Sequence, residues 1–121
     1  RGFLFKNKPK KVTTNQKISI KKLWKDSKDN ILKQNWFDKN SKKKWCILCE
    51  NGNIFYFDSN KINNKSNPKG CININDYNEP QYINKKSKHG FKLFNDQHKW
   101  IFLNQNKSIA MSWITSIKSI T

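Results

Sequence analysis

The sequence is poor in glycine, proline and acidic residues, and these shortages narrow the range of functions. Only 4 glycines and 3 prolines occur in 121 residues, and no two glycines lie close enough to form a glycine-rich phosphate loop. The sequence also shows no nucleophile–base pair and no paired carboxylates in a plausible cleft, so we expect no enzymatic activity. No apolar run approaches the roughly 20 residues of a helical membrane span. No secretory hydrophobic region opens the chain.

Cysteine and histidine are also scarce, with 3 cysteines and 2 histidines. An odd cysteine count without a signal peptide indicates a reducing compartment. Cys46 and Cys49 form a C-x-x-C motif, but no second pair of ligands accompanies it. On a strand these two thiols point to opposite faces and cannot share a metal ion. We therefore expect neither a metal nor another cofactor.

Basic residues are abundant: 25 lysines and arginines stand against 8 acidic residues, for a formal net charge of +17. Lysine and asparagine make up about a third of the chain, and Arg1 is the sole arginine, a skew typical of A+T-rich genomes. Part of the charge therefore reflects composition. Its sign still predicts an anionic partner, either a nucleic acid or a lipid surface. Because the chain begins at Arg1, we expect it to be a fragment of a longer protein.

Apolar residues follow a period of two through most of the chain, which predicts antiparallel strands. Two such runs flank Glu50-Asn-Gly-Asn53 and predict a β-hairpin. A later pair flanks Asn95-Asp-Gln97 and predicts a second hairpin. The predicted strands cover residues 45–48, 54–57, 71–74, 81–83, 91–94 and 100–103.

The period changes after Asn106. Ile109, Trp113, Ile117 and Ile120 are spaced for one face of an amphipathic helix of about 13 residues. Its β-branched residues give it little intrinsic propensity, so we expect the helix to form by packing on the sheet. The first 35 residues are ambiguous. They hold candidate strands at 2–5, 18–20 and 31–35, and a candidate short helix at 23–32.

The order of these motifs resembles the pleckstrin-homology (PH) family. The motifs are Lys42-Lys-Lys-Trp-Cys-Ile-Leu48, Gly52-Asn-Ile-Phe-Tyr-Phe57, Pro68-Lys-Gly-Cys-Ile72, Phe91 with Leu93, and the final helix with its tryptophan. The resemblance implies a mainly β fold: a seven-stranded antiparallel sandwich, or partly open barrel, capped by a C-terminal amphipathic helix. It covers residues 29–121 and leaves 1–28 as an N-terminal extension that we expect to pack on the domain.

We take Ile31–Asn35 as the first strand, because starting from Gly2–Phe5 requires a connection of more than about 35 residues. The family's phosphate-binding pattern is a basic residue on strand one, a loop, and then basic-x-basic on strand two. Lys33, Lys42 and Lys44 fit that pattern. We therefore expect strand pairing to bring their three ammonium groups to one spot at the open end of the sandwich.

Other candidate residues follow from the same resemblance. Tyr56 and His98 match positions that contact headgroup phosphate in some family members, and Lys69, a further candidate phosphate ligand, matches the basic residue of the family's Pro-basic-Gly turn. Trp36 and Phe37 fall in the loop between the first two predicted strands. Two readings of this aromatic pair stay open: packing beneath the N-terminal extension, or insertion into the membrane interface, where tryptophan is favoured.

These residues predict a monomeric, non-catalytic module that lies on the cytosolic face of a membrane and binds anionic phospholipid headgroups. The lysine- and asparagine-rich composition also loosely resembles the acylated PH-domain proteins of intracellular parasites, which adds phosphatidic acid to phosphoinositides as a candidate ligand. One alternative is a PH-fold protein–protein adaptor. The other is a nucleic-acid-binding domain, but no RNP-like strand, zinc-finger spacing or helix-turn-helix is visible.

Overall fold

A computed structural model describes residues 14–63 and 65–120, with side chains from residue 20 onward. The candidate strand at 2–5 lies outside the described residues. A short 3₁₀ turn, Ile74–Asp76, separates the fourth and fifth strands. The main elements are α1 (Thr14–Ser27), β1 (Ile31–Lys39), β2 (Lys42–Cys49), β3 (Asn53–Phe57), β4 (Gly70–Asn73), β5 (Gln81–Lys85), β6 (Lys88–Phe94), β7 (Lys99–Asn104) and α2 (Lys107–Ile120). Neither helix in this part of the chain has the length and apolar content that a bilayer span requires.

The strands of the described residues form one antiparallel sheet in the order β4-β3-β2-β1-β7-β6-β5. β1 lies at its centre and pairs with β2 on one side and with β7 on the other. The two edge strands, β4 and β5, are not paired with each other, so the sheet is an open barrel. The predicted seven-stranded antiparallel fold with a C-terminal helix is confirmed.

The inner face of the sheet carries the main core and is closed by α2. Trp113 of α2 is 2% exposed, and its ring lies 4.9 Å from that of Phe37 and 6.0 Å from that of Phe91. Cys46 belongs to this inner core, whereas Cys49 belongs to a second cluster on the outer face. The structure therefore confirms the core role of the helix tryptophan and the opposite orientation of the two thiols.

The outer face of β2 and β3 is covered by α1. The Trp24 ring packs edge-on against Phe55 and Phe57, with 5.1 Å between centroids in each case. The candidate strand at 18–20 is therefore wrong, and the candidate helix at 23–32 is displaced towards the N-terminus, since Ile31 already begins β1. Two apolar residues two positions apart are too short a pattern to separate a strand from a helix.

The first strand is longer than predicted. β1 runs from Ile31 to Lys39, and only Asn40 and Ser41 connect it to β2. Both turn residues have positive φ (46° and 76°), as in a type I′ hairpin turn. Asn40 also bonds this turn to β7. Its backbone N–H donates to the Ile101 carbonyl at 2.8 Å, and its side-chain oxygen accepts from the Ile101 backbone N–H at 2.7 Å. Residues 36–39 of the predicted loop therefore belong to β1, and only residues 40–41 form the turn.

Candidate functional site

Three connections between strands lie at the same end of the sheet. In an antiparallel sheet, the end of each strand lies beside the start of its neighbour. The three connections are the β1–β2 turn (40–41), the β3–β4 connection (58–69) and the β6–β7 connection (95–98). Side chains link these connections. Lys44 forms an ion pair with Asp58, and the side-chain amide of Asn40 donates a hydrogen bond to the Lys99 carbonyl at 3.4 Å. We call this region the turn end.

Three lysines share the inner face at the turn end. In the β1–β2 hairpin Lys39 pairs with Lys42, and Phe37 pairs with Lys44. Since paired residues and residues two apart point to the same face, all three lysines lie on the face that carries Phe37. Their closeness is visible in electrostatics: burial lowers the pKa of Lys39, and the nearby charges of Lys44 and Lys42 lower it further.

Lys39 lies at the floor of this cluster and is only 8% exposed. Its Nζ sits 4.1 Å from the centre of the Tyr56 ring and 4.4 Å from that of Trp100. The Trp100 indole is held in turn by a 2.8 Å hydrogen bond that its Nε1 donates to Tyr77 Oη. Two aromatic faces partly replace the water that the ammonium group loses. The cluster therefore has a rigid, positively charged floor.

The other lysines at the turn end differ in whether an acidic side chain neutralises their charge. Lys44 Nζ lies 2.5 Å from Asp58 Oδ1, and Lys69 Nζ lies 3.5 Å from Asp58 Oδ2. The hydrogen bond from Lys44 is the largest cause that lowers the pKa of Asp58, followed among the lowering effects by the charge of Lys44. Lys42 is exposed and has no ion-pair partner among the described residues. One carboxylate thus bridges two ammonium groups, and the neighbouring charge of Lys42 is open to solvent.

Tyr56 and His98 complete the surroundings. Burial raises the pKa of Tyr56, so its phenol stays neutral at pH 7 and can donate a hydrogen bond. Its position depends on Gly70, since a Cβ there would lie 2.1 Å from Tyr56 Oη. The exposed His98 ring stacks on Trp100, with 6.1 Å between centroids. The turn end therefore offers cationic and neutral donors to an anion.

The family model described as "PH domain" matches residues 1–121. This chain belongs to the PH-domain family. PH domains are in general lipid-binding or adaptor modules, and they are generally non-catalytic. The search of curated proteins finds no match. Among solved structures, the N-terminal PH domain of human ARAP2 is similar, with a TM-score of 0.54 and 21% identity over 73% of this chain and 76% of that chain. That likeness supports the fold.

Most of the predicted site residues come together in this PH domain, but Lys33 does not. The turn end collects Lys42, Lys44, Tyr56, Lys69 and His98. Lys33 pairs with Leu48 instead, six residues before Lys39 and so roughly 20 Å away along the strand. The expectation that pairing places Lys33 beside the other two lysines is wrong. The β1 residue that occupies this position is Lys39, because β1 continues up to the turn.

The expected aromatic loop tip is also wrong. Phe37 is 1% exposed and packs on the inner face against Trp113, so it is not available to insert into a membrane. The described part of the N-terminal extension, α1, packs on the opposite face. Trp36 is partly buried on the outer face, with its ring 5.4 Å from that of Trp45 and Lys43 Nζ 4.9 Å from its centre. Adjacent residues of a strand point to opposite faces, so Phe37 enters the core and Trp36 packs on the outer face.

Three residues of the site lie outside the predicted set: Lys39, Asp58 and Trp100. Lys39 had a readable signal, since Asn40-Ser41 between two lysines is a short run of turn-forming residues that matches a two-residue hairpin. Asp58 and Trp100 had none, because their roles depend on contacts between strands that are distant in sequence. Strand register decides such contacts.

Proposed function

We propose that this PH domain binds anionic phospholipid headgroups, with a phosphomonoester as the preferred group, at the turn end. Lys42 and Lys44 make the main phosphate contacts in this proposal. Lys69, Tyr56 and His98 contribute further donors. Phosphatidic acid and the phosphoinositides both carry the required group.

One observation carries the proposal: the two strands of a single hairpin aim Lys39, Lys42 and Lys44 from the same face at the same end of the sheet. Like charges held together in this way destabilise the unliganded domain. A bound anion would relieve their repulsion. The Asp58 carboxylate pairs with Lys44 and Lys69, and Lys42 stays available for a ligand.

The chemistry suits a doubly charged phosphate. A phosphomonoester carries about 1.5 to 2 negative charges at pH 7 and several strong acceptor oxygens. Charge-assisted hydrogen bonds to lysine ammonium groups are worth about 1.5–3 kcal/mol each. Lysine binds phosphate as a point charge, whereas arginine offers a fixed bidentate fork. A site built from lysines therefore favours charge and position over the stereochemistry of the headgroup.

Membrane attachment would add a diffuse contribution to this contact. The formal charge of +17 attracts any anionic leaflet, at about 1 kcal/mol for each lysine near the surface. This attraction is screened by salt over roughly 8 Å at physiological ionic strength. In our proposal the domain lies peripherally on the cytosolic face of a membrane, where anionic lipids are exposed.

Vesicle sedimentation tests the proposal directly. Phosphatidylcholine vesicles would contain phosphatidic acid, phosphatidylserine or one phosphoinositide, with the total surface charge matched. We expect the apparent affinity for at least one phosphomonoester lipid to exceed that for phosphatidylserine about tenfold, since the lysines gain about one extra hydrogen bond of 1.5 kcal/mol or more. The preference should persist in higher salt, which weakens the diffuse attraction to all vesicles alike.

Two results would contradict the proposal. Binding that follows surface charge alone would show that no phosphate site exists. An absence of binding to every vesicle would favour the adaptor alternative. A fluorescent single-stranded RNA in the same buffers serves as the third arm, because RNA binding that exceeds vesicle binding would favour the nucleic-acid alternative.

A further inference from the structure

The Asp58 carboxylate bridges Lys44 and Lys69, two cations of the candidate phosphate site. Its two oxygens take one lysine each, at 2.5 and 3.5 Å. A carboxylate is the closest side-chain equivalent of a phosphate edge, since both present two oxygens to hydrogen-bond donors. The structure therefore shows an anion of the chain itself between two proposed ligand contacts.

We infer that Asp58 is an autoinhibitory counter-anion: it occupies the place of the ligand phosphate, and an incoming phosphomonoester must displace it. This inference rests on the proposed function. It adds a residue that sets the affinity of the site, and it assigns the phosphate a position between Lys44 and Lys69.

The local structure holds Asp58 in this position. Trp45 pairs with Phe57 across β2 and β3, so Asp58 stands one step further along, opposite Lys44. Lys69 is fixed on the other side, because its amide donates to the Tyr56 carbonyl at 2.7 Å. All three groups therefore sit at strand ends. A tethered anion of this kind acts at a high effective concentration.

The carboxylate is still displaceable. The Asp58 side chain is 55% exposed, so it can turn into solvent without losing buried contacts. Ion pairs of an exposed carboxylate are weak, because water and salt screen the charges. Because its lysine partners lower the pKa of Asp58, the group stays ionised at neutral pH and competes there throughout. Its effect is thus a constant reduction in affinity.

Asp58→Asn tests the inference, because asparagine keeps the shape and removes the charge. We expect this variant to bind phosphatidic acid vesicles about threefold to tenfold more tightly than the wild type, the range expected from releasing Lys44 and Lys69 from ion pairs with an exposed carboxylate. The matched control is Asp29→Asn. Asp29 is exposed and lies just before β1, at the other end of the strand from the turn. The same loss of one charge there should change affinity less than about 1.5-fold, because salt screens distant charges.

A second background locates the effect. In a variant with both Lys44→Ala and Lys69→Ala, Asp58→Asn should give no gain beyond that of the Asp29 control, since both ammonium groups that Asp58 blocks are gone. A titration with soluble glycerol 3-phosphate, monitored by backbone amide shifts, measures binding of the phosphate group in the absence of a membrane. Tighter glycerol 3-phosphate binding by Asp58→Asn supports competition at the phosphate itself. Thermal unfolding of each variant shows whether the fold is kept.

Equal changes in affinity for Asp58→Asn and Asp29→Asn would overturn the inference, as would weaker binding by Asp58→Asn. The failure of the proposed function looks different: in that case, wild-type binding to phosphatidic acid would not depend on Lys42 and Lys44. If the wild type binds through these lysines but the two aspartate variants behave alike, only the autoinhibitory role is refuted.

Discussion

Replacing Lys42 and Lys44 together with alanine should weaken binding to phosphatidic acid vesicles by about two orders of magnitude. The double variant loses two charge-assisted hydrogen bonds of at least about 1.5 kcal/mol each, and 1.4 kcal/mol corresponds to a factor of ten in affinity. The partner carboxylate Asp58 is more than half exposed, so it can be solvated after Lys44 is removed. Vesicle sedimentation at two salt concentrations measures the effect.

A matched control distinguishes the loss of two positive charges from the loss of two lysines at the proposed site. Lys21 and Lys25 are exposed residues of α1, a helix that covers the outer face of the sheet. Replacing both with alanine removes the same number of charges, and we expect affinity to fall less than about threefold, since these two lysines lie on the opposite face from the proposed site and salt screens charges over roughly 8 Å. Lys33→Ala should behave like this control. Equal losses in the two double variants would refute a localised phosphate site.

Trp113→Ala should lower the free energy of unfolding by about 4 kcal/mol, a large share of the roughly 5–15 kcal/mol that stabilises a typical domain. Trp113 is 2% exposed and packs on the rings of Phe37 and Phe91. Truncating it leaves a cavity between α2 and the sheet. α2 has little propensity of its own, so the loss of this anchor should also reduce its helicity. Urea unfolding followed by circular dichroism measures both effects.

Met111→Ala provides the comparison on the same helix. Met111 is 42% exposed, so its truncation should cost less than about 1 kcal/mol. If the Trp113 variant were within about 1 kcal/mol of the Met111 variant, the helix would not depend on its tryptophan.

Much of the fold was predictable because the pattern of hydrophobicity depends directly on burial. The β2–β3 and β6–β7 hairpins and α2 were identified from periods of two and of about 3.6. The helix α1 was not located correctly, because its anchor Trp24 packs on Phe55 and Phe57, some 30 residues later in the chain. A contact between residues so far apart in the sequence cannot be inferred from the local pattern.

The site was predicted less well, and one turn explains most of the difference. Asn40 and Ser41 form a two-residue turn without glycine, a weaker signal than Asn-Gly, so the predicted first strand ended too early, at Asn35. A first strand that ends at Asn35 places Lys33 at the site, whereas the observed strand places Lys39 there. Lys42 and Lys44 were identified correctly as neighbours because they lie two apart on one strand. Their partner Asp58 required knowledge of the β2–β3 register.

Phosphate binding on the inner face at the turn end can be observed residue by residue, by mapping backbone amide shifts during titration with soluble short-chain phosphatidic acid. We predict that the largest shifts fall on Lys42, Lys44 and Gly70, with the Trp100 indole signal moving at the same ligand concentrations. Shifts centred on Lys33 at the far end of β1, or spread evenly over exposed lysines, would contradict binding at this site.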